Sequence, residues 1–193
     1  MNQQKQSIIY GGAIKAQNYQ NITILFSYFY KCKAFESGGA IYAFQALQSS
    51  IFQIRNCYFL ENTSVYGSGG AIYFQAIYGI SIIKSKFESN SAIKQKGGSI
   101  YFEECTLQQF ANSLFNLNRA YIGGSFYYTQ TSSDLLKLVN LYENNIIFLN
   151  NTGQTKWNGV SACRAFNTNL VLVDTYDFTK EAKILLKVKL IKN

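Results

Sequence analysis

Phe59-Leu60-Glu61-Asn62-Thr63-Ser64-Val65-Tyr66-Gly67-Ser68-Gly69-Gly70-Ala71-Ile72-Tyr73-Phe74-Gln75 is the stretch that decides the fold. It joins two short motifs, Phe-x-x-Asn and Gly-Gly-Ala-Ile, and each returns along the chain. The glycine motif recurs at Gly11-Gly12-Ala13-Ile14, Gly38-Gly39-Ala40-Ile41, Gly97-Gly98-Ser99-Ile100 and Gly123-Gly124-Ser125-Phe126, with a weaker copy at Asn158-Gly159-Val160-Ser161. Second glycines (Gly12, Gly39, Gly70, Gly98, Gly124) are spaced by 27, 31, 28 and 26 residues. The other motif recurs at Phe87/Asn90, Phe115/Asn118 and Phe148/Asn151, with degenerate copies at Phe29/Cys32 and Phe178/Glu181. From Phe29, Phe59, Phe87, Phe115 and Phe148 to the next second glycine takes 10, 11, 11, 9 and 11 residues. Two independent motifs held in phase over five turns identify a repeat architecture.

The local pattern selects strands. After each glycine pair the apolar residues alternate: Ile41 and Ala43, Ile72, Phe74 and Ala76, Ile100 and Phe102, Phe126 and Tyr128. Period two is the signature of a strand, and these residues are assigned to the interior. A helical repeat would need apolar residues every three or four positions and would tolerate Gly-Gly poorly. About 28 residues suffice for one three-sided coil, so the reading is an all-β, right-handed parallel β-helix of about six coils with a rise of about 4.8 Å each. In it Gly-Gly makes a tight corner at positive φ. The phenylalanines stack inside. The asparagines sit in turns where left-handed φ is tolerated, and their amides can bond from coil to coil.

The whole of 1–193 reads as a single β-helix domain. It starts at a Gly-Gly half-coil and ends after a Phe-x-x-x half-coil, like a slice of a longer array whose ends meet flanking coils. Residues 183–193 alternate Lys with Leu, Ile and Val, as a charged terminal strand or cap would. A longer gap between Gly124 and Phe148 suggests an inserted loop near Thr129 to Asp134. Residues Met1 to Ser7 lack the apolar core of a signal peptide, and Ala71 to Ile83 is too short and polar to span a bilayer.

Repeated Gly-Gly-Ala-Ile with Phe-x-x-Asn resembles the polymorphic outer-membrane-protein repeats of autotransporter-like adhesins, and the pectin-lyase-like β-helices of large surface proteins. The resemblance runs from Gly11 to about Glu181. It implies a pectin-lyase-like solenoid in an extracellular or cell-surface protein, used for adhesion or surface coating.

The chemistry points the same way. Asp occurs only at Asp134, Asp174 and Asp177, and there is no His. Clustered carboxylates for calcium or acid–base work, and His-based nucleophile or zinc systems, are therefore not expected. Glu103 and Glu104 are adjacent on a strand and point to opposite faces. Cys32, Cys57, Cys105 and Cys163 lie at different repeat positions without a CxxC pair. They read as buried small hydrophobes rather than as disulfides or metal ligands. No catalytic residue, metal site or cofactor is assigned. The net charge of +8 gathers partly in Lys180, Lys183, Lys187, Lys189 and Lys192. That fits strand-edge protection better than attraction to anionic glycans, nucleic acid or a membrane surface. Sequons stand at Asn21, Asn62 and Asn150.

One stripe invites a binding role. Tyr42, Tyr73, Tyr101 and Tyr127, with Lys15 before them, flank the inward residues and should line up as an exposed ladder for glycans or a surface protein. Same-face stacking of strand-forming residues is the favoured account of them. The leading functional reading is a non-catalytic structural or adhesive module. The alternative is a carbohydrate-binding or carbohydrate-active β-helix.

Overall fold

The computed structural model describes residues 8–47, 50–129, 145–153, 163–167 and 172–173. Each coil contributes four short strands, one more than three sides would need. The first follows the glycine pair: Ile14–Gln17, Ile41–Phe44, Ile72–Gln75, Ile100–Glu103 and Phe126–Thr129. The second comprises Asn21–Leu25, Ile51–Arg55, Ile80–Ile83 and Leu107–Ala111. The third carries the motif phenylalanine: Tyr28–Tyr30, Tyr58–Leu60, Lys86–Glu88, Leu114–Asn116 and Ile147–Leu149. The fourth follows the motif asparagine: Lys33–Ala34, Thr63–Ser64, Ser91–Lys96, Arg119–Ile122 and Thr152–Gly153. Like strands of successive coils pair in parallel, giving four sheets wrapped around one core. We call them the glycine, second, phenylalanine and fourth sheets.

The fold is thus the parallel β-solenoid that the repeat predicts. Among the described residues there are four complete coils and parts of a fifth, fewer than six, and no helix. The parallel stack of the glycine sheet stops at Phe126–Thr129, because the next strand, Cys163–Asn167, pairs with it antiparallel. A reversed strand cannot continue the winding. The repeat copies at Asn158-Gly159 and Phe178/Glu181, the loop expected near Asp134 and the strand expected over 183–193 lie outside the described residues.

Registers align each motif column. Ile14, Ile41, Ile72, Ile100 and Phe126 form one inward column. The ring centroids of Phe29, Phe59, Phe87, Phe115 and Phe148 follow one another at 4.7, 4.8, 4.8 and 5.1 Å. All five are buried, in a core that runs unbroken through the coils. Each ring stacks on its counterparts one coil away, and Phe115 and Phe148 also meet Phe110 and Phe126 of their own coils edge-on or tilted, at 5.7 Å. No coil can therefore bury its apolar face alone.

The corners correct two expectations. Three columns of non-glycine residues turn through left-handed φ. One lies before the phenylalanine sheet (Phe26, Asn56, Lys84, Asn112, Asn145). One lies just before the motif asparagine (Lys31, Glu61, Ser89, Leu117, Asn150), and one after the glycine sheet (Asn18, Gln45, Ala76, Glu104). The left-handed residue is thus the one preceding the motif asparagine, not the asparagine itself. Ala76, expected inside, is the corner. Each such residue costs about 1–2 kcal/mol of backbone strain. Coil-to-coil hydrogen bonds offset that, such as Phe26 N–H to the Arg55 carbonyl at 3.1 Å and Lys31 N–H to the Leu60 carbonyl at 3.0 Å.

Candidate functional site

The tyrosine stripe forms in the expected register, Lys15–Tyr42–Tyr73–Tyr101–Tyr127. Successive rings stack at 5.0, 5.0 and 5.7 Å. It is not the exposed ladder that alternation suggests. Tyr42 and Tyr73 are half-buried, whereas Tyr101 and Tyr127 are 8 % and 1 % exposed. The reason lies in the neighbouring sheet. Its strands span two residues in the first two coils but extend to Lys96 and Ile122 in the third and fourth. Ile122 packs on the tyrosine pair and the Lys96 ammonium sits 4.8 Å from the centre of the Tyr127 ring. Burial and the carboxylate of Glu103, which accepts the Tyr73 hydroxyl, hold that phenol far above its usual range.

The other motif residues are internal. Asn62, Asn90, Asn118 and Asn151 are buried and linked into a ladder. Each Nδ2 donates to the Oδ1 of the next asparagine, at 2.9, 3.0 and 2.8 Å for the three steps. It also donates to the phenylalanine carbonyl one coil back, as Asn90 does to Phe59 at 2.9 Å. Each Oδ1 accepts a second bond from a backbone N–H of the preceding coil, starting with Cys32 N–H to Asn62 at 3.0 Å. Asn62, committed in this way, cannot carry a glycan in the folded chain. Asn21 and Asn150 are exposed.

The paired glycines divide the work. The first takes positive φ, +69° at Gly69. The second has no room for a side chain: a Cβ on Gly70 would lie 2.0 Å from the Gly98 carbonyl oxygen. The same close contact to the following coil recurs at Gly12, Gly39 and Gly98. At Gly124 the neighbouring atoms are those of Thr152.

Three features lie outside the motif reading. Two residues before the motif phenylalanine, the Ser85 and Ser113 hydroxyls donate to Ile83 and Ala111 carbonyls at 3.0 Å, and the Cys57 thiol makes the matching contact to Arg55 at 3.3 Å. The recurrence Ser27, Cys57, Ser85, Ser113 is visible in the sequence once the phenylalanines are aligned. Burial pushes the thiols of Cys32 and Cys57 up and that of Cys105 to about 12, so all three stay protonated and unreactive at neutral pH. None of the three is in a disulfide. Second, Glu88 on the outer face of the phenylalanine sheet joins Lys86 at 2.6 Å, Asn116 at 2.9 Å and the Tyr58 hydroxyl. Third, an open groove of about 430 Å³ runs along the corner between the second and phenylalanine sheets, crossing four coils from Asn56 to Asn145.

Among the described residues no group of three Cys, Asp or Glu side chains could hold a metal ion. No helix there is long and apolar enough to cross a membrane. Searches among curated proteins and among solved structures returned no match. Residues 56–75 match the family model of the Chlamydia polymorphic membrane protein repeat. The matched stretch holds one Phe-x-x-Asn half and the following Gly-Gly-Ala-Ile half, one of five in-phase copies. The chain is a parallel β-helix in which one stretch, residues 56–75, is similar to the polymorphic membrane protein repeat.

Proposed function

We propose that this chain is a non-catalytic structural or adhesive module of a larger cell-surface protein. The observation that carries the reading is the destination of its polar side chains. Recurrent asparagine, serine and cysteine groups turn inward and bond backbone or one another from coil to coil. Polar chemistry is thereby used to hold register. That is what a rigid extended spacer needs, since buried amides specify one stacking and penalise a slip. The match to a membrane-protein repeat supports a surface location. Partners on this reading are flanking coils of the same polypeptide, with glycans or surface proteins on the outer faces. No nucleic acid is involved.

Two measurements test it. Purified protein should release no unsaturated or reducing products from polyuronides, with or without calcium. The chain displayed on beads should bind cells or matrix at a level above a charge-matched control. Calcium-dependent product release would replace the reading with an enzymatic one. Beads that bind no better than the control would remove the adhesive half and leave a spacer.

A further inference from the structure

We infer that the corner groove between the second and phenylalanine sheets binds a linear acidic glycan lying along the solenoid axis. The groove has two unlike sides. One is the column of left-handed corner residues Asn56, Lys84, Asn112 and Asn145. The other is the outer face of the phenylalanine sheet, where Tyr58, Leu114 and Ile147 share a column with Lys86. A row of hydrogen-bonding groups facing a wall of Tyr58, Leu114 and Ile147, interrupted by the Glu88-paired Lys86, suits a pyranose chain. Such a chain offers hydroxyls at its edges and C–H groups on its faces.

The groups on the polar side are open. The floor hydroxyls of Ser85 and Ser113 are turned to backbone carbonyls, so they do not compete. Asn145 donates to Asn112 Oδ1 at 3.2 Å, a bond that does not use the Asn112 amide hydrogens or the Asn145 side-chain carbonyl, and both residues line the groove. Among the described residues Lys84 makes no ion pair, whereas Lys86 is neutralised by Glu88. The groove therefore holds one unpaired cation in its middle, which selects a carboxylate or sulfate. Successive side chains are one coil apart, so four rungs cover about 14 Å, room for about three sugar rings. A left-handed corner also suits this use. Its backbone N–H is spent on the next coil, as Lys84 N–H on the Ala111 carbonyl at 3.0 Å, and the side chain is left at the rim.

This names a ligand for the adhesive reading above and rests on it. The full chain is titrated calorimetrically with a hyaluronan hexasaccharide, a heparin hexasaccharide and uncharged chitohexaose. Saturable binding to a charged probe is expected, weakened at high salt. Lys84→Gln and Asn112→Gly should each lower its affinity by about tenfold. Glycine at 112 keeps the positive φ, so the fold is retained and circular dichroism checks it. Lys94→Gln, on another face, should change nothing. The two charged probes separate carboxylate from sulfate recognition. No binding to either charged probe, equal binding of chitohexaose, or binding unchanged in both groove variants overturns the groove. If bead adhesion persists in the groove variants, the groove is not the adhesive site and the adhesive reading stands.

Discussion

Replacing Asn90 by alanine should destabilise the solenoid about as much as removing a buried phenylalanine, although it deletes only a small polar group. Asn90 is fully buried. Its Nδ2 donates to the Phe59 carbonyl at 2.9 Å and to Asn118 Oδ1 at 3.0 Å. Its Oδ1 accepts from Asn62 Nδ2 at 2.9 Å and from Asn62 N–H at 3.0 Å. Alanine leaves the Asn62 N–H and one Asn62 amide hydrogen without these partners, in a site water does not reach, while the Phe59 carbonyl keeps its ladder bond to the neighbouring strand. Asn118 Oδ1 keeps its bond from the Asn90 backbone at 2.9 Å. Two orphaned N–H groups at about 1–3 kcal/mol each give a loss of about 2–6 kcal/mol. Urea titration followed by circular dichroism measures the total. Hydrogen exchange at the Asn62 amide reads the local effect, and its protection should fall. Asn90→Asp should be rescued in acid. The buried carboxyl would have a raised pKa, so its penalty grows from the unfolded carboxylate range upward and fades as pH falls. A loss for Asn90→Ala below about 1 kcal/mol, the size of an ordinary single hydrogen bond, would refute the ladder as a stabilising element.

Other outcomes follow from the same geometry. Phe87→Ala should cost about 3–5 kcal/mol by transfer and cavity terms, because its ring stacks at 4.8 Å on both Phe59 and Phe115; a mainly unchanged melting curve would contradict the stack. Gly70→Ala should disrupt coil stacking outright, since its Cβ would meet the Gly98 carbonyl oxygen; expression and melting compared with the parent chain check it. Glu88 is held below the usual carboxylate range, chiefly by Lys86 and also by Tyr58. Its contribution is present above that range and is lost as pH falls through it, so Glu88→Gln should flatten the acid limb of stability against pH. Native protein treated with a thiol reagent at mild alkaline pH should leave Cys57 and Cys105 unmodified until denaturant is added.

Much of this protein is legible in its sequence because a solenoid writes its contacts at a fixed interval. A residue that stacks on its own counterpart one coil away must recur, so Phe59, Phe87 and Phe115, Asn62, Asn90 and Asn118, and the glycine pairs all show themselves as columns. The register, the strands and the buried ladders follow from that recurrence. Features set by backbone conformation leave no such trace. The corner positions Phe26, Asn56, Lys84, Asn112 and Asn145 share φ between 47° and 53°, yet only three are asparagine and the column admits Phe and Lys as well, because the turn constrains the backbone more than the side chain. The groove they form was therefore not visible beforehand. Which glycine of each pair supplies φ and which supplies clearance also required coordinates. So did the burial of Tyr101 and Tyr127. Their alternation says only that they face away from the core of their own sheet. Whether that face stays open depends on how far the adjacent strands run, and Lys96 and Ile122 run far enough to close it. The end of the parallel stack at Cys163–Asn167 was equally a tertiary decision, since strand direction is fixed by pairing and not by any residue in the strand.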